Sequence, residues 1–128
     1  MTFRITINIF CTLTLIKYHI NWCTVITNKK IIGPVINLDS FSGAKEFKGK
    51  IVVIEKADPG YDWIFGHQIA GLITKYGGVA SHMAIRAAEF GLPSAIGCGE
   101  LIFNQITKAK MVELNCSTRQ IHIIEKDL

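Results

Sequence analysis

The chain has 128 residues, which allows one domain at most and the burial of roughly two-thirds of its surface on folding. Its apolar share of 49% and charged share of 19% exclude an intrinsically disordered chain. The formal net charge of +4 is spread along the sequence without interleaved aromatic residues, so we expect no nucleic-acid binding.

The spacing of the cysteines argues against a zinc-binding protein and against a disulfide-rich protein. They occur singly, without the spacing of a metal site or of a disulfide framework, at Cys11, Cys23, Cys98 and Cys116. We therefore expect no metal site in the chain, and reduced thiols in a cytoplasmic protein.

Residues 1–27 stand apart because they contain no acidic residue and are rich in Ile, Thr, Phe, Leu and Val. The uncharged run 5–16 is shorter than the about 20 residues of a membrane-spanning helix, and no signal-peptide cleavage site follows it, so we expect no membrane association. Its β-branched residues favour extended structure. The interpretation we favour is that this segment does not belong to the domain, as in a chain cut from a larger protein, and we place the domain at residues 28–128.

The first half of that domain contains several strand patterns. Residues 31–36 are predicted to form an edge strand, because Pro34 cannot donate to a neighbouring strand. Residues 41–47 suit a loop or weak helical turn, and the apolar run 50–54 predicts a strand. Asp58 and Pro59 are typical of a helix start, which predicts a short helix over 61–67.

The second half alternates strands and helices, which gives a mixed α/β fold. A helix that starts at His82 is predicted to end at Gly91, before Pro93. The other predicted elements are strands over 70–74 and 94–96, a helix over 100–106, and a strand pair over 111–114 and 120–124 joined by a turn at 115–118.

Between the strand ending at Thr74 and the helix starting at His82 lies the loop that contains Gly77 and Gly78. A phosphoryl group on the imidazole of His82 could be held there by the backbone N–H groups and positive end of the helix. The glycines permit close approach of the backbone to phosphate. Phosphoryl transfer through histidine requires a neutral imidazole nitrogen as the nucleophile. A free histidine side chain, with a pKa of about 6.5, supplies one at neutral pH.

Other residues near His82 have two interpretations each. Ser81 either contacts phosphate or only caps the helix. Arg86 and Glu89 lie on the same stripe of the helix as His82, so Arg86 either contacts phosphate or pairs with Glu89. Lys75 either steers phosphate or is simply solvated. The remaining histidines match no motif and are expected to be structural, at His19, His67 and His122.

From Gly71 to Gly99 the chain resembles the phosphohistidine domain of the phosphoenolpyruvate-utilising enzymes, such as pyruvate phosphate dikinase and phosphoenolpyruvate synthase. The elements in register are Gly77-Gly78, Ser81-His82, Ala84-Ile85, Gly91-Leu92-Pro93 and Gly97-Cys98-Gly99. The resemblance implies a single swivelling domain of β/β/α type, with His82 as the residue that carries phosphate.

Two positions depart from the family's pattern. Many members have threonine where Ala80 stands, and in some plant enzymes that threonine is a site of regulatory phosphorylation, which Ala80 excludes here. Many members also have arginine where Ala88 stands, whereas this chain has Arg86. The second departure leaves open which arginine, if any, pairs with phosphate.

The resemblance implies a phosphocarrier module that moves phosphate between a nucleotide-binding domain of the ATP-grasp type and a site for pyruvate, phosphoenolpyruvate or another small acceptor. We expect magnesium and ATP on the partner domain, supplied in trans or lost by truncation, and no cofactor on this chain. The alternatives are a remnant or interaction domain that keeps the fold without catalysis, and a carrier that accepts phosphate directly from phosphoenolpyruvate.

Overall fold

The computed structural model describes residues 5–8, 15–20, 23–38 and 46–126. Three helices lie in this part of the chain: a 3-10 helix (Pro59–His67), α1 (His82–Phe90) and α2 (Glu100–Thr107). The strands are β1 (Ile5–Asn8), β2 (Leu15–His19), β3 (Thr24–Ile26), β4 (Lys30–Asn37), β5 (Ile51–Ile54), β6 (Gly71–Thr74), β7 (Ser94–Ile96), β8 (Ala109–Asn115) and β9 (Gln120–Lys126).

All nine strands join in one sheet, in the order β1-β2-β9-β8-β4-β5-β6-β7-β3. Its centre, β4 to β7, is parallel, and the strands on both sides of that centre pair antiparallel. Strands β5, β6 and β7 are buried along their whole length, as expected for parallel strands that are covered on both faces. The predicted mixed α/β fold of swivelling type is confirmed.

The prediction that residues 31–36 form an edge strand is wrong. Strand β4 lies inside the sheet, paired antiparallel with β8 through Lys30 to Pro34 and parallel with β5 through Val35 to Asn37. Pro34 is thus the last residue of one pairing, immediately before the other begins. A proline fits an interior strand here because the strand changes partners at this residue.

The segment before residue 28 contributes strands to both sides of the sheet. Strand β2 pairs with β9 and β3 pairs with β7, and the side chains of Tyr18, Ile20 and Cys23 are buried in the core. The predicted extended structure is confirmed for the described part of this segment, and the start of the domain at residue 28 stays a prediction. The loop predicted over 41–47 lies mostly outside the described residues.

Two apolar clusters fill the two faces of the central strands. On one face, Ile51 and Val53 of β5 pack in a cluster with α2 and the antiparallel strands. On the other face, Val52 and Ile54 pack in a cluster with the 3-10 helix and α1. Because successive side chains of β5 point to opposite faces of the sheet, α2 packs on one face, and the 3-10 helix and α1 pack on the other.

The 3-10 helix begins, and α1 ends, at the capping residues that the sequence predicts. The side chain of Asp58 accepts a hydrogen bond from Gly60 N at 2.8 Å, and Pro59 opens the helix that follows, which is a 3-10 helix. Gly91 ends α1 in the left-handed conformation, with φ of 61°, and its N–H is donated to the last turn. Among the described residues, no helix has the length and apolar character needed to cross a membrane.

The loops that follow β6 and β7 are packed directly against each other. Thr74 joins them: its carbonyl oxygen accepts from Gly97 N at 3.1 Å and from Cys98 N at 2.9 Å, and its buried hydroxyl accepts from Gly97 N at 3.0 Å. Gly97 has φ of +79°, and a Cβ atom on it would collide with the carbonyl oxygen of Gly77. Only glycine therefore fits between the two loops at residue 97.

We expect Gly97→Ala to lower the free energy of unfolding by at least about 1 kcal/mol, because it adds both backbone strain and a collision with Gly77. Urea denaturation measures the loss. The matched control is Gly66→Ala, since a Cβ atom at Gly66 meets nothing within 4 Å. Equal stability of the two variants would contradict this account of the loop contact.

Candidate functional site

His82 is the first residue of α1, and 39% of its side chain is exposed. The helix follows the loop after β6, and its buried residues Met83, Ala84 and Ala87 fix it on the sheet. The imidazole therefore lies at the surface, on a helix whose other side is anchored in the core. This is the placement that the sequence predicts.

Ser81 caps α1. Its hydroxyl oxygen accepts from Ala84 N at 3.3 Å, and its carbonyl oxygen accepts from Ile85 N at 3.1 Å. The N–H groups of His82 and Met83 then have no partner within the helix, and with the helix dipole they favour an anion at this end. The capping interpretation of Ser81 is confirmed, and its contact with phosphate stays a prediction.

The two glycines of the loop have different surroundings. Gly77 has φ of +127°, and a Cβ atom there would lie 2.7 Å from that of Ala57. A Cβ atom on Gly78 would meet nothing within 4 Å, and its carbonyl oxygen accepts from Ser81 N at 3.0 Å. Gly77 is therefore required by packing, whereas the space at Gly78 is open. Binding of phosphate by either glycine stays a prediction.

The 3-10 helix contributes an acidic residue, Asp62, to the histidine site. Its Oδ1 atom lies 2.8 Å from Nε2 of His82 and also 2.8 Å from Nε of Arg86. One carboxylate oxygen thus holds two side chains that are one turn apart on α1. No sequence motif marks Asp62 as part of the site.

The geometry of the 3-10 helix explains how Asp62 meets α1. Residues three apart in such a helix lie in line, and Asp62 and Phe65 are three apart. Both contact Arg86, Asp62 through its hydrogen bond and Phe65 through its ring, whose centroid is 5.9 Å from Cζ of Arg86. Burial of Ile64 and Phe65 keeps this line turned toward α1.

Arg86 is held by two carboxylates and two aromatic rings. Its Nη1 donates to Oε2 of Glu89 at 2.6 Å, in addition to the bond with Asp62, and the hydrogen bonds with Asp62 and then Glu89 raise its pKa. The guanidinium also lies 5.0 Å from the centroid of the Phe90 ring, which stacks on Phe65. The predicted pairing with Glu89 is confirmed, and a contact of Arg86 with phosphate stays a prediction.

The carboxylates outnumber the guanidinium in this cluster. The hydrogen bond with His82, followed by that with Arg86, lowers the pKa of Asp62 from its ordinary value of 3.8, so Asp62 is ionised at neutral pH. Asp62 and Glu89 then place two negative charges beside the single positive charge of Arg86. An incoming phosphoryl group has to compete with these carboxylates for Arg86.

Lys75 contacts an aromatic ring, and the described cysteines are buried. Nζ of Lys75 lies 5.1 Å from the ring centroid of Tyr76. The described cysteines, Cys23, Cys98 and Cys116, are buried free thiols, and burial raises the pKa of Cys98 to about 12. In the described ranges, no three His, Cys, Asp or Glu side chains are grouped so that they could hold a metal ion.

Fold and site together define a class of protein: an α/β domain that presents one histidine at a helix start, behind a glycine loop. The sequence pattern of the mobile domain of PEP-utilising enzymes matches residues 46–119 of the chain. The chain belongs to this family. At the level of the family it is a phosphocarrier module of the transferase type.

Several curated relatives are similar over the same region. A Synechocystis phosphoenolpyruvate synthase is 32% identical over 69 residues, which are 54% of this chain and 8% of the relative. A rifampicin phosphotransferase of Bacillus cereus is 43% identical over 49 residues, or 38% of this chain and 6% of the relative. An uncharacterised protein of Mycobacterium tuberculosis is 36% identical over 78 residues, 60% of this chain and 9% of the relative. The match therefore spans less than a tenth of each of these relatives.

A solved structure supports the fold. The solution NMR structure of a UPF0107 protein superposes with a TM-score of 0.63 at 17% identity, covering 85% of this chain and 99% of that one. At this level of identity the likeness concerns the fold alone.

We expect Ser81→Ala to lower the free energy of unfolding by about 1 kcal/mol, because the N–H of Ala84 loses its cap. Ser81→Asp is the matched control, since an aspartate caps a helix start equally well. Urea denaturation compares the three proteins. An alanine variant as stable as the unaltered chain would contradict the capping role of Ser81.

The hydrogen bonds of Asp62 predict a dependence of stability on pH. A carboxyl group whose pKa is lowered by folding stabilises the protein above its unfolded pKa, and this contribution is lost as pH falls through the folded pKa. We therefore expect stability to fall below about pH 3.8, and the pKa of Asp62, followed by carboxyl NMR, to lie below that value.

His82→Ala is the diagnostic variant for this pH effect, because it removes the hydrogen bond that contributes most to the lowered pKa of Asp62. In that variant the pKa of Asp62 should rise toward its ordinary value while Arg86 remains bound to it. An unchanged pKa would mean that the contact with His82 does not form in solution.

Proposed function

We propose that this chain carries a phosphoryl group on His82 between a nucleotide-binding domain of the ATP-grasp type and a site that holds pyruvate, phosphoenolpyruvate or another small acceptor. The observation that carries this proposal is the half-exposed imidazole at the capped start of α1, within a domain of the PEP-utiliser family. The names of two relatives, phosphoenolpyruvate synthase and rifampicin phosphotransferase, support phosphoryl transfer to small acceptors.

The chemistry follows from the surroundings of His82. A neutral ring nitrogen attacks the phosphorus atom, the new N–P bond forms as the donor's P–O bond breaks, and the donor's oxygen leaves with the electron pair of that bond. The phosphoryl group adds about two negative charges. The free N–H groups at the start of α1 offset part of this charge through fixed dipoles, and Arg86 offers a positive charge on the same stripe of the helix.

The binding roles of the site residues are part of the proposal. Gly77 and Gly78 allow the backbone to approach the phosphoryl group closely. The hydroxyl of Ser81 donates to one of its oxygens, and Arg86 pairs with another. The contacts of Arg86 with Asp62 and Glu89 mean that this pairing replaces an existing one. Arg86 therefore binds phosphate in exchange for a carboxylate.

Magnesium and ATP belong, in this proposal, to the partner domain, where the metal offsets the charge of the nucleotide phosphates. The free thiols of the described cysteines are in keeping with a reducing compartment such as the cytoplasm. Residues of this chain have the narrower task of accepting the phosphoryl group, holding it and releasing it.

Incubation of the chain with ATP, magnesium and the nucleotide-binding domain of a phosphoenolpyruvate synthase tests the proposal. We expect label from the nucleotide to appear on the chain in an acid-labile, base-stable form, as is typical of phosphohistidine. His82→Ala should abolish it. The matched control is His67→Ala, an exposed histidine of the neighbouring 3-10 helix, which should leave the labelling unchanged.

Labelling that survives His82→Ala would overturn the assignment of the carrier residue. Absence of label from ATP, together with labelling by phosphoenolpyruvate alone, would instead favour a carrier that accepts directly from that donor. Absence of label from both donors would favour a non-catalytic interaction domain.

A further inference from the structure

A single carboxylate oxygen, Oδ1 of Asp62, occupies the space between Nε2 of His82 and Nε of Arg86, at 2.8 Å from each. The nucleophile and the cation best placed to pair with phosphate are thus both engaged by the same atom. The consequence of this arrangement rests on the function proposed above.

The contact with Asp62 fixes the position of the imidazole proton. An ionised carboxylate can only accept hydrogen bonds, so the nitrogen that faces it has to carry the proton. The neutral ring is then protonated on Nε2, and its lone pair lies on Nδ1. In this arrangement Nε2 cannot attack phosphorus.

The position of Arg86 indicates that Nε2 of His82, and not Nδ1, is the nitrogen that reacts. Nε of Arg86 and Nε2 of His82 share a partner atom, so the guanidinium lies on the Nε2 side of the ring. A phosphoryl group bonded to Nε2 would place an oxygen close to the position that Oδ1 of Asp62 now occupies. The same guanidinium can then bind that oxygen.

We propose that Asp62 is a positioning residue that holds His82 and Arg86 in a resting arrangement, and that the phosphoryl group replaces Asp62 at both side chains when it bonds to Nε2. Before the reaction the Nε2 proton is released to water and Nδ1 takes up a proton from water. The carboxylate then faces a lone pair and withdraws. Nε2 attacks phosphorus, the N–P bond forms, and the leaving group of the donor departs with the electrons of its bond to phosphorus.

The negative charges around the site make the replacement of Asp62 by the phosphoryl group less favourable. The phosphoryl group brings negative charge toward Asp62 and Glu89, which together already exceed the charge of Arg86. The phosphorylated state is thereby raised in free energy relative to the resting state. This suits a carrier that has to pass its phosphoryl group on.

Phosphoramidate, a small donor that phosphorylates histidine without a partner domain, tests the proposal on the full chain. Its P–N bond breaks and ammonia leaves as the histidine is phosphorylated. We expect 31P and 15N NMR to locate the phosphoryl group on Nε2 of His82, with His82→Ala identifying the signal. Asp62→Asn should react about threefold faster, a change of the size that a partly exposed charge pair produces.

Asn is the informative substitution because its amide can either accept from Nε2–H or donate to a Nε2 lone pair, and it has no charge. The matched control is Asp58→Asn, which removes a charge from the same 3-10 helix and keeps a capping side chain at its start. This control should react at the rate of the unaltered chain.

The resting state is tested separately by 15N NMR of the unphosphorylated imidazole. We expect the proton on Nε2 in the unaltered chain and a loss of that preference in Asp62→Asn. A resting proton on Nδ1, phosphorylation on Nδ1, or a rate in Asp62→Asn no higher than in Asp58→Asn would each overturn the proposal. Reaction with phosphoramidate but not with ATP and its binding domain would overturn the proposed function instead.

Discussion

The contact between the loops after β6 and β7 is the constraint on which the site depends. Thr74 ties the end of β6 to Gly97 through both its backbone and its hydroxyl. Gly77 fits against Gly97 because Gly97 has no side chain, since a Cβ atom there would collide with the carbonyl oxygen of Gly77. Since the Gly77 loop leads directly into α1, this contact fixes the position of His82 relative to β6 and β7.

A second constraint is that the two halves of the site are anchored in the same apolar cluster. Ile64 and Phe65 of the 3-10 helix, and Met83 and Ala84 of α1, belong to one core cluster. Their packing brings Asp62 to His82 although the two are 20 residues apart. The polar contact at the surface is therefore a consequence of apolar packing beneath it.

Much of this architecture follows from local sequence chemistry. The ends of α1 were predictable because Ser81 and Gly91 satisfy the backbone groups of their own helix, and the apolar runs of β5 and β6 identify them as buried strands. The place of β4 was not predictable from Pro34 alone, because it depends on which strands lie on each side. Asp62 was missed because its role requires the packing of one helix against another, and its only local signal is the three-residue spacing to Phe65.

The order of the strands has a consequence for how the chain folds. Strand β2 pairs with β9, and β3 pairs with β7, so these two strands find their partners only after β9 and β7 have been synthesised. Contacts this distant in sequence cost loop entropy before they contribute stability, which slows folding. Synthesis of β9 is thus the step that lets β2 join the sheet, and until then Tyr18 of β2 and Ile20 just after it lack their partners in the core.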